Sequence, residues 1–245
     1  DEVLALENGI NFVMFGHGIT APKLIAYAPS AGQTDISRIE QFGCKELITS
    51  GLRKFTALSA RDAGTQQLLE TLTNQKVPLV CDPALLYRFP HPKKEQTKRY
   101  IVVYSYQSNF KDKSRIKKIK EYAQKEHCEL WSVGVYYKWC NKKINSDPLE
   151  MIRVFANAQA VITDTFHGTI SAYIAHTPMA VFVRENNNVK LNHLLELIGI
   201  EDRKVLIPEM LEHVLGTPVD FDKLDRNVEQ LRCFGEKYIK QALMK

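Results

Sequence analysis

One stretch of the chain combines an apolar run, a histidine and a glycine in an order suited to anion chemistry. It reads Ala160-Val161-Ile162-Thr163-Asp164-Thr165-Phe166-His167-Gly168-Thr169-Ile170. The β-branched start predicts a buried parallel strand, Gly168 predicts a tight turn, and Thr169 to His176 predicts a helix. A histidine side chain can take up or release a proton in acid–base chemistry, and N–H groups at a helix start bind phosphate or carboxylate. We therefore predict an anion site at this junction, with Asp164, Gly168 and Thr169 as candidate binding residues. A histidine there could equally serve only as a backbone cap.

Two cations follow other predicted strands. Arg61 comes just after a short strand that ends at Ser59, at the edge where open α/β sheets bind ligands. An arginine there can hold a carboxylate or phosphate through two N–H groups, although a surface salt bridge to Asp62 or Glu70 is the alternative. Lys190 lies, with Arg184, after the strand that follows the His167 helix. We expect Lys190 at the same sheet edge as His167.

A loop of small residues follows the first predicted strand. Pro29-Ser30-Ala31-Gly32 contains little side-chain volume. A ligand can approach such a backbone closely, and glycine tolerates the conformations that this requires. Ser30 and Gly32 are therefore candidate binding residues.

Two motif matches carry less weight. Gly16-His17-Gly18-Ile19-Thr20-Ala21 matches the dinucleotide fingerprint, but Pro22 follows where a helix should begin, so we reject a nucleotide loop. Asp220-Phe221-Asp222 matches a metal-binding D-x-D pattern, but its place before the last helix favours capping. No zinc-binding or Walker motif occurs, so neither a metal site nor an ATPase is predicted. The Gly-x-Ser-x-Gly motif of a serine nucleophile does not occur either.

The elements that position these residues alternate between strand and helix. This pattern predicts an α/β fold with parallel sheets and helical crossovers. A charged, proline-containing stretch interrupts the pattern, so we expect a first α/β domain over residues 1–88 and a linker over 89–99. A second α/β domain is expected over 100–221 and a terminal helix over 222–245. Because the chain begins at Asp1 without methionine, we expect the first domain to lack part of its start.

Composition bounds the class of protein. The 245 residues are 44% hydrophobic and 25% charged, as in globular proteins that bury a core. The net charge of +5 sits largely in lysine-rich segments without interleaved aromatics, which argues against nucleic-acid binding. Five scattered cysteines favour reduced thiols and a cytoplasmic protein, with one or two disulfides left open. No apolar run is long enough to predict a membrane span.

Several short sequence blocks follow one another along the chain in an order that matches a known family. They are Tyr27-Ala28-Pro29-Ser30-Ala31-Gly32, Leu58-Ser59-Ala60-Arg61-Asp62, Asp82-Pro83-Ala84-Leu85-Leu86, Asp147-Pro148-Leu149-Glu150, the segment from Ala158 to Thr169, and Lys190-Leu191-Asn192-His193-Leu194-Leu195. From about Asp1 to about Arg203 the chain resembles the polysaccharide pyruvyl transferase family. Phe166-His167-Gly168 lies in the most specific part of the likeness.

The resemblance implies two Rossmann-like domains with a cleft between them, as in the B-type glycosyltransferase fold. It also implies that phosphoenolpyruvate is the donor substrate, that a sugar accepts the pyruvyl group as a ketal, and that no cofactor is needed. His167 and Arg61 match the residues expected to face the donor, and Asp1 matches an early family aspartate. Some members carry an arginine two residues before the histidine, where Thr165 stands here; Lys190 is our candidate for that missing donor contact.

Other points stay open at this stage. A nucleotide-sugar glycosyltransferase of the same fold and a non-catalytic glycan-binding protein are the alternative functions. The acceptor sugar, its attachment to a lipid carrier, a peripheral location at the inner membrane face and the oligomeric state are not determined by the sequence.

Overall fold

The computed structural model describes residues 9–90, 92, 94–95, 98–106, 110–184 and 188–244. These residues form two compact units. The N-terminal unit comprises the chain up to Tyr87 together with the chain from Val228 onward, and the central unit comprises Arg88–Asn227. The sequence left the packing of the last helix open; most of that helix belongs to the N-terminal unit.

Short elements build the N-terminal unit. They are β1 (Ile25–Ala26), α1 (Ile36–Gln41), α2 (Lys45–Leu52), β2 (Ala57–Leu58), α3 (Ala63–Thr73) and α4 (Pro83–Leu86), preceded by a 3₁₀ turn at Phe12–Phe15. Strands β1 and β2 pair in parallel, and Ala60 forms a parallel bridge to Leu79. A core of apolar side chains from α1, α2 and α3, including Ile39, Ile48 and Leu68, holds these elements together.

The N-terminal unit departs from the sequence-based expectations at two places. The Asp35 cap and the apolar spacing that follows it predict one helix from Ile36 to Ser50, but α1 ends at Gln41 because Gly43 adopts a left-handed conformation with φ of 64°. The sequence also predicts a strand over Val77 to Cys81, where only the single bridge forms. Pro78 has no N–H to donate to a ladder, which explains the short pairing.

The central unit is organised around one six-stranded sheet. Its elements are β3 (Tyr100–Tyr104), α5 (Lys113–Lys125), β4 (Glu129–Val133), β5 (Lys142–Ile144), α6 (Pro148–Ala156), β6 (Ala160–Thr163), α7 (Phe166–Ile174), β7 (Met179–Phe182), α8 (Asn188–Ile198), β8 (Lys204–Val205) and α9 (Leu211–Gly216). The strand order is β5-β4-β3-β6-β7-β8, and every neighbouring pair is parallel. The predicted α/β class with parallel sheets is therefore confirmed. The sequence did not predict β5 or β8, which are three and two residues long, respectively, and carry lysines.

Alternating side chains of the sheet pack against helices on its two faces. Ile101 and Val103 of β3 join a buried cluster with residues of α5 and α9. On the other face, the hydroxyl of Tyr100 donates to the carbonyl of Val154 in α6, and the Tyr104 ring meets Phe155 edge to face. Because β3 and β6 are covered on both faces, only the strand ends remain for ligand binding.

The last helix, α10 (Phe221–Met244), begins in the central unit and continues in the N-terminal unit. Its start is capped by Asp220, whose carboxylate accepts a hydrogen bond from the N–H of Lys223 at 2.9 Å. This contact agrees with the capping interpretation of the D-x-D match. In the described part of the chain, no helix is long and apolar enough to cross a membrane.

Candidate functional site

The topology of the central sheet creates one place where a ligand crevice is expected. From β3 the chain adds β4 and β5 on one side, and then returns to add β6, β7 and β8 on the other side. Between β3 and β6 the connections therefore leave the sheet in opposite directions. Open α/β sheets bind ligands outside the carboxyl ends of their strands at such a switch point. Ser105 follows β3 and Asp164 follows β6, so both lie at this point.

The junction between β6 and α7 is held by two threonines. The Thr163 and Thr165 hydroxyls lie 3.0 Å apart, and the N–H of Thr165 donates to Thr163 Oγ1 at 3.1 Å. Thr165 is the N-cap of α7, because its Oγ1 accepts the N–H of Gly168 at 2.9 Å. The helix consequently begins at Phe166, which places His167 in its first turn.

The expected tight turn at Gly168, with a helix only from Thr169, is wrong. Gly168 lies inside α7, and it is needed for space rather than for a turn. A Cβ atom added there would collide with Thr163 Oγ1 and lie 2.5 Å from Thr165 Oγ1 and 2.7 Å from Tyr104 Cδ1. Glycine thus lets the first turn of α7 pack directly against the end of β3.

The side chains next to Gly168 have distinct environments. His167 is half-buried, and its ring meets the Phe166 ring edge to face at 5.5 Å between centroids. Thr169 is fully buried, and its hydroxyl donates to the carbonyl of Thr165 at 3.0 Å. This bond stiffens the first turn that carries the histidine.

Asp164 is the centre of a polar cluster that joins three strands. Its side chain is 1% exposed; Ser105 Oγ donates to its Oδ1, and Arg184 Nε lies 2.8 Å from its Oδ2. Ser105 follows β3, and Arg184 stands two residues beyond the end of β7. The carboxylate therefore ties together the ends of β3, β6 and β7.

Tyr137 borders the same cluster. Its hydroxyl donates to the carbonyl of Tyr106 at 2.7 Å. Burial raises the pKa of the Tyr137 phenol, and the Asp164 charge raises it further, while a Ser105 hydrogen bond and the Arg184 charge act in the opposite direction. The phenol is therefore neutral at physiological pH.

Lys190 lies in the first turn of α8, which follows β7, and is half-buried. Its position agrees with the expectation that it shares a sheet edge with His167. The central unit thus brings Asp164, His167, Gly168, Thr169 and Lys190 to one edge.

The N-terminal unit holds the remaining predicted site residues at the carboxyl edge of its own small sheet. Arg61 is buried, and its Nη1 forms an ion pair with Asp82 Oδ2 at 2.7 Å. The anticipated alternative partner, Asp62, instead caps α3 by accepting the N–H of Thr65 at 2.8 Å. Arg61 is thus held by Asp82, which follows the segment around Leu79, rather than by Asp62, the next residue in the chain.

The small-residue loop lies beside Arg61. The N–H of Arg61 donates to the carbonyl of Pro29 at 3.1 Å. Ser30 is buried, and its Oγ accepts the N–H of Gly32 at 3.4 Å, with Gly32 at a φ of 68° that favours glycine. Asp1 lies outside the described residues. The expected common cleft for Arg61 and His167 stays a prediction.

Three residues of the central cluster are not among the binding residues predicted from the sequence. Ser105, Arg184 and Tyr137 surround Asp164, yet none belongs to a motif. The available signal was position, since Ser105 and Arg184 each follow a buried strand. Among the described residues, no group of three or more His, Cys, Asp or Glu side chains could hold a metal ion.

The fold and the site define an α/β protein that presents a histidine, an arginine–aspartate pair and a helix N-terminus at the edge of a parallel sheet. The chain belongs to the polysaccharide pyruvyl transferase family, whose model matches residues 3–186. No curated protein matches the chain significantly.

Solved structures with a similar fold are distant in sequence. UDP-GlcNAc 2-epimerase from Neisseria meningitidis, bound to UDP-GlcNAc, is 10% identical with a TM-score of 0.49, covering 89% of this chain and 69% of that one. The Methanocaldococcus jannaschii UDP-GlcNAc 2-epimerase is 15% identical with a TM-score of 0.45, covering 74% and 56%. The glycotransferase of kitacinnamycin is 14% identical with a TM-score of 0.44, covering 71% and 55%. The chain spans little more than half the length of the last two proteins.

Proposed function

We propose that the chain transfers the pyruvyl group of phosphoenolpyruvate to two hydroxyls of a sugar in a cell-surface or exopolysaccharide precursor. The products are a pyruvate ketal and inorganic phosphate. The observation that supports this proposal is the position of His167 in the first turn of α7, at the switch point of the sheet, in a member of this family.

Donor binding in this proposal relies on cationic and N–H groups. Phosphoenolpyruvate carries a carboxylate and a phosphate, and both need donors that are already oriented. The N-terminus of α7 offers N–H groups and the positive end of a helix dipole. Arg61 and Lys190 are the proposed cationic contacts, and we propose no cofactor besides the donor itself.

The proposed reaction has two steps whose atoms balance. Protonated His167 gives its proton to the methylene carbon of the donor, and a sugar hydroxyl adds to the neighbouring electron-poor carbon and gives its own proton back to the imidazole. The second hydroxyl then displaces phosphate from that carbon, passes its proton to the departing phosphate and closes the ketal. The anion-binding groups stabilise the departing phosphate.

A donor assay separates this function from the alternatives. The protein is incubated with phosphoenolpyruvate or with nucleotide sugars, each together with candidate glycans. Phosphate release with a matching pyruvyl mass gain on the glycan is the expected result. Transfer from a nucleotide sugar would assign a glycosyltransferase, and glycan binding without turnover would assign a binding protein.

The role of His167 is tested by His167→Ala. We expect a folded protein whose rate of ketal formation is lower by about 100-fold or more, the usual contribution of an acid–base group. His213→Ala is the matched control, because His213 is exposed on α9. Wild-type rates in His167→Ala would remove this histidine from the mechanism.

A further inference from the structure

The cluster around Asp164 contains a cation that the proposed mechanism does not use. Arg184 stands two residues past the end of β7. Strand β7 is the neighbour of β6, the strand that leads into α7, and Val181 of β7 pairs with Thr163 of β6. Its Nε lies 2.8 Å from Asp164 Oδ2. This places a guanidinium at the switch point, beside the helix that carries His167.

Asp164 is committed to holding this cluster. A buried carboxylate is costly unless charged or hydrogen-bonded partners compensate it. Here one oxygen accepts Ser105 Oγ and the other faces Arg184 Nε, while the aspartate side chain is only 1% exposed. We therefore interpret Asp164 and Ser105 as positioning residues.

Arg184 differs from Asp164 in its access to solvent. The arginine side chain is 18% exposed and the aspartate side chain 1%, so the arginine is the member of the pair that solvent reaches. A guanidinium is a planar group with five N–H donors, and the Nε of Arg184 lies 2.8 Å from Asp164 Oδ2. Guanidinium groups held in one orientation bind planar or tetrahedral oxyanions through parallel hydrogen bonds.

We propose that Arg184 binds an oxyanion of the donor, and that Asp164 and Ser105 hold its guanidinium in the binding orientation. This inference rests on the proposed function for the identity of the donor as phosphoenolpyruvate. The carboxylate and the phosphate of that donor share the required chemistry. The N–H groups of the α7 N-terminus supply complementary donors to the same anion.

Binding measurements with whole donor and with its fragments test the proposal. Calorimetry on wild type, Arg184→Met, Arg184→Lys and Asp164→Asn uses phosphoenolpyruvate, inorganic phosphate and pyruvate as separate probes. We expect Arg184→Met to weaken phosphoenolpyruvate binding by about 10-fold or more, as for the loss of a charged hydrogen bond. Arg184→Lys should recover part of the affinity, and Asp164→Asn should weaken binding while leaving the arginine in place. The fragment whose affinity falls identifies the oxyanion.

A matched control and a kinetic measurement separate binding from stability. Arg99→Met removes the same charge at the opposite edge of the sheet, where Arg99 donates to the carbonyl of Glu126. It should leave donor affinity unchanged. In turnover, Arg184→Met should raise the KM for phosphoenolpyruvate while the KM for the glycan stays the same. If Arg184→Met does not fold because Asp164 is left uncompensated, the double variant Asp164→Asn with Arg184→Met removes both charges and takes its place.

The outcomes distinguish this inference from the proposed function. Wild-type donor affinity in a folded Arg184→Met or double variant overturns the role of Arg184, even where the wild-type protein forms the ketal. Binding of inorganic phosphate that depends on Arg184, without binding or conversion of phosphoenolpyruvate, supports the oxyanion site and rejects the proposed function. Binding of none of the three probes by wild type overturns both.

Discussion

Replacing Gly168 with alanine tests whether the first turn of α7 depends on close packing. The added Cβ would collide with Thr163 Oγ1 and lie 2.5 Å from Thr165 Oγ1 and 2.7 Å from Tyr104 Cδ1. The two threonine hydroxyls are bonded to each other, and Tyr104 ends a strand, so none of these atoms is the end of a flexible chain. Overpacking of this kind costs about 1–3 kcal/mol, and alanine returns at most about 1 kcal/mol of helix propensity. We expect a net loss of roughly 1–2 kcal/mol.

Gly216→Ala is the matched control for this substitution. Gly216 is likewise a helical glycine, the last residue of α9, but a Cβ atom there would meet nothing within 4 Å. Thermal unfolding followed by circular dichroism should give Gly168→Ala a Tm lower by about 2–8 °C, and Gly216→Ala a Tm equal to or slightly above wild type. Because His167 precedes Gly168, a shift of the turn should also slow ketal formation by about 10- to 100-fold. A Gly168→Ala protein with wild-type Tm and rate would refute the packing argument.

Two further predictions concern stability. His176 adopts a left-handed φ of 48° while its Nε2 lies 3.1 Å from Asp225 Oδ1 and its ring stacks on Phe221. His176→Ala and His176→Gly lose the same contacts, but only glycine relieves the strain, so urea unfolding should find the glycine variant more stable by roughly 1 kcal/mol; equal midpoints would contradict this. Burial raises the pKa of the Cys140 thiol from 9.0 to about 12, so the stability that it contributes is present below pH 9 and is lost as pH rises toward 12. When the pH is raised from about 8 to about 11, the urea concentration at half-unfolding should therefore fall less for Cys140→Ala than for wild type. An equal fall in both proteins would reject the raised pKa of Cys140.

Much of the central unit could be predicted because its signals are local. The apolar run from Ala160 predicts β6. Asp147-Pro148 predicts a helix start, because Asp is a good N-cap and Pro suits the first turn, and α6 begins there at Pro148 with Asp147 accepting the N–H groups of Leu149 and Glu150. A cap and a buried strand are both determined by a few neighbouring residues. The sequence-based start of α7, Thr169, is three residues later than the observed start at Phe166. Gly168 is typical of a turn, but the N-cap residue Thr165 is the stronger signal for a helix start.

The contacts of the site could not be predicted in the same way. Ser105 and Asp164 are 59 residues apart in the chain, and they meet only because β3 and β6 are neighbours in the sheet. Strand order depends on where each crossover helix packs, which no local pattern determines. Arg61 gives a second case, since its acid partner Asp82 comes from a segment 21 residues away rather than from Asp62.

The two arginines at sheet edges are held in the same way. Arg61 in the N-terminal unit is paired with Asp82 at 2.7 Å, and Arg184 in the central unit with Asp164 at 2.8 Å; both acids are at least 96% buried at their side chains. A carboxylate behind a guanidinium removes much of the rotamer freedom that the arginine would otherwise lose when it binds an anion. In the proposed function, the opposite charges of each pair also mean that a dianionic donor would meet oriented N–H groups rather than a large excess of positive charge. Replacing either aspartate should therefore weaken anion binding through the orientation of the arginine, whereas replacing either arginine removes the donors themselves.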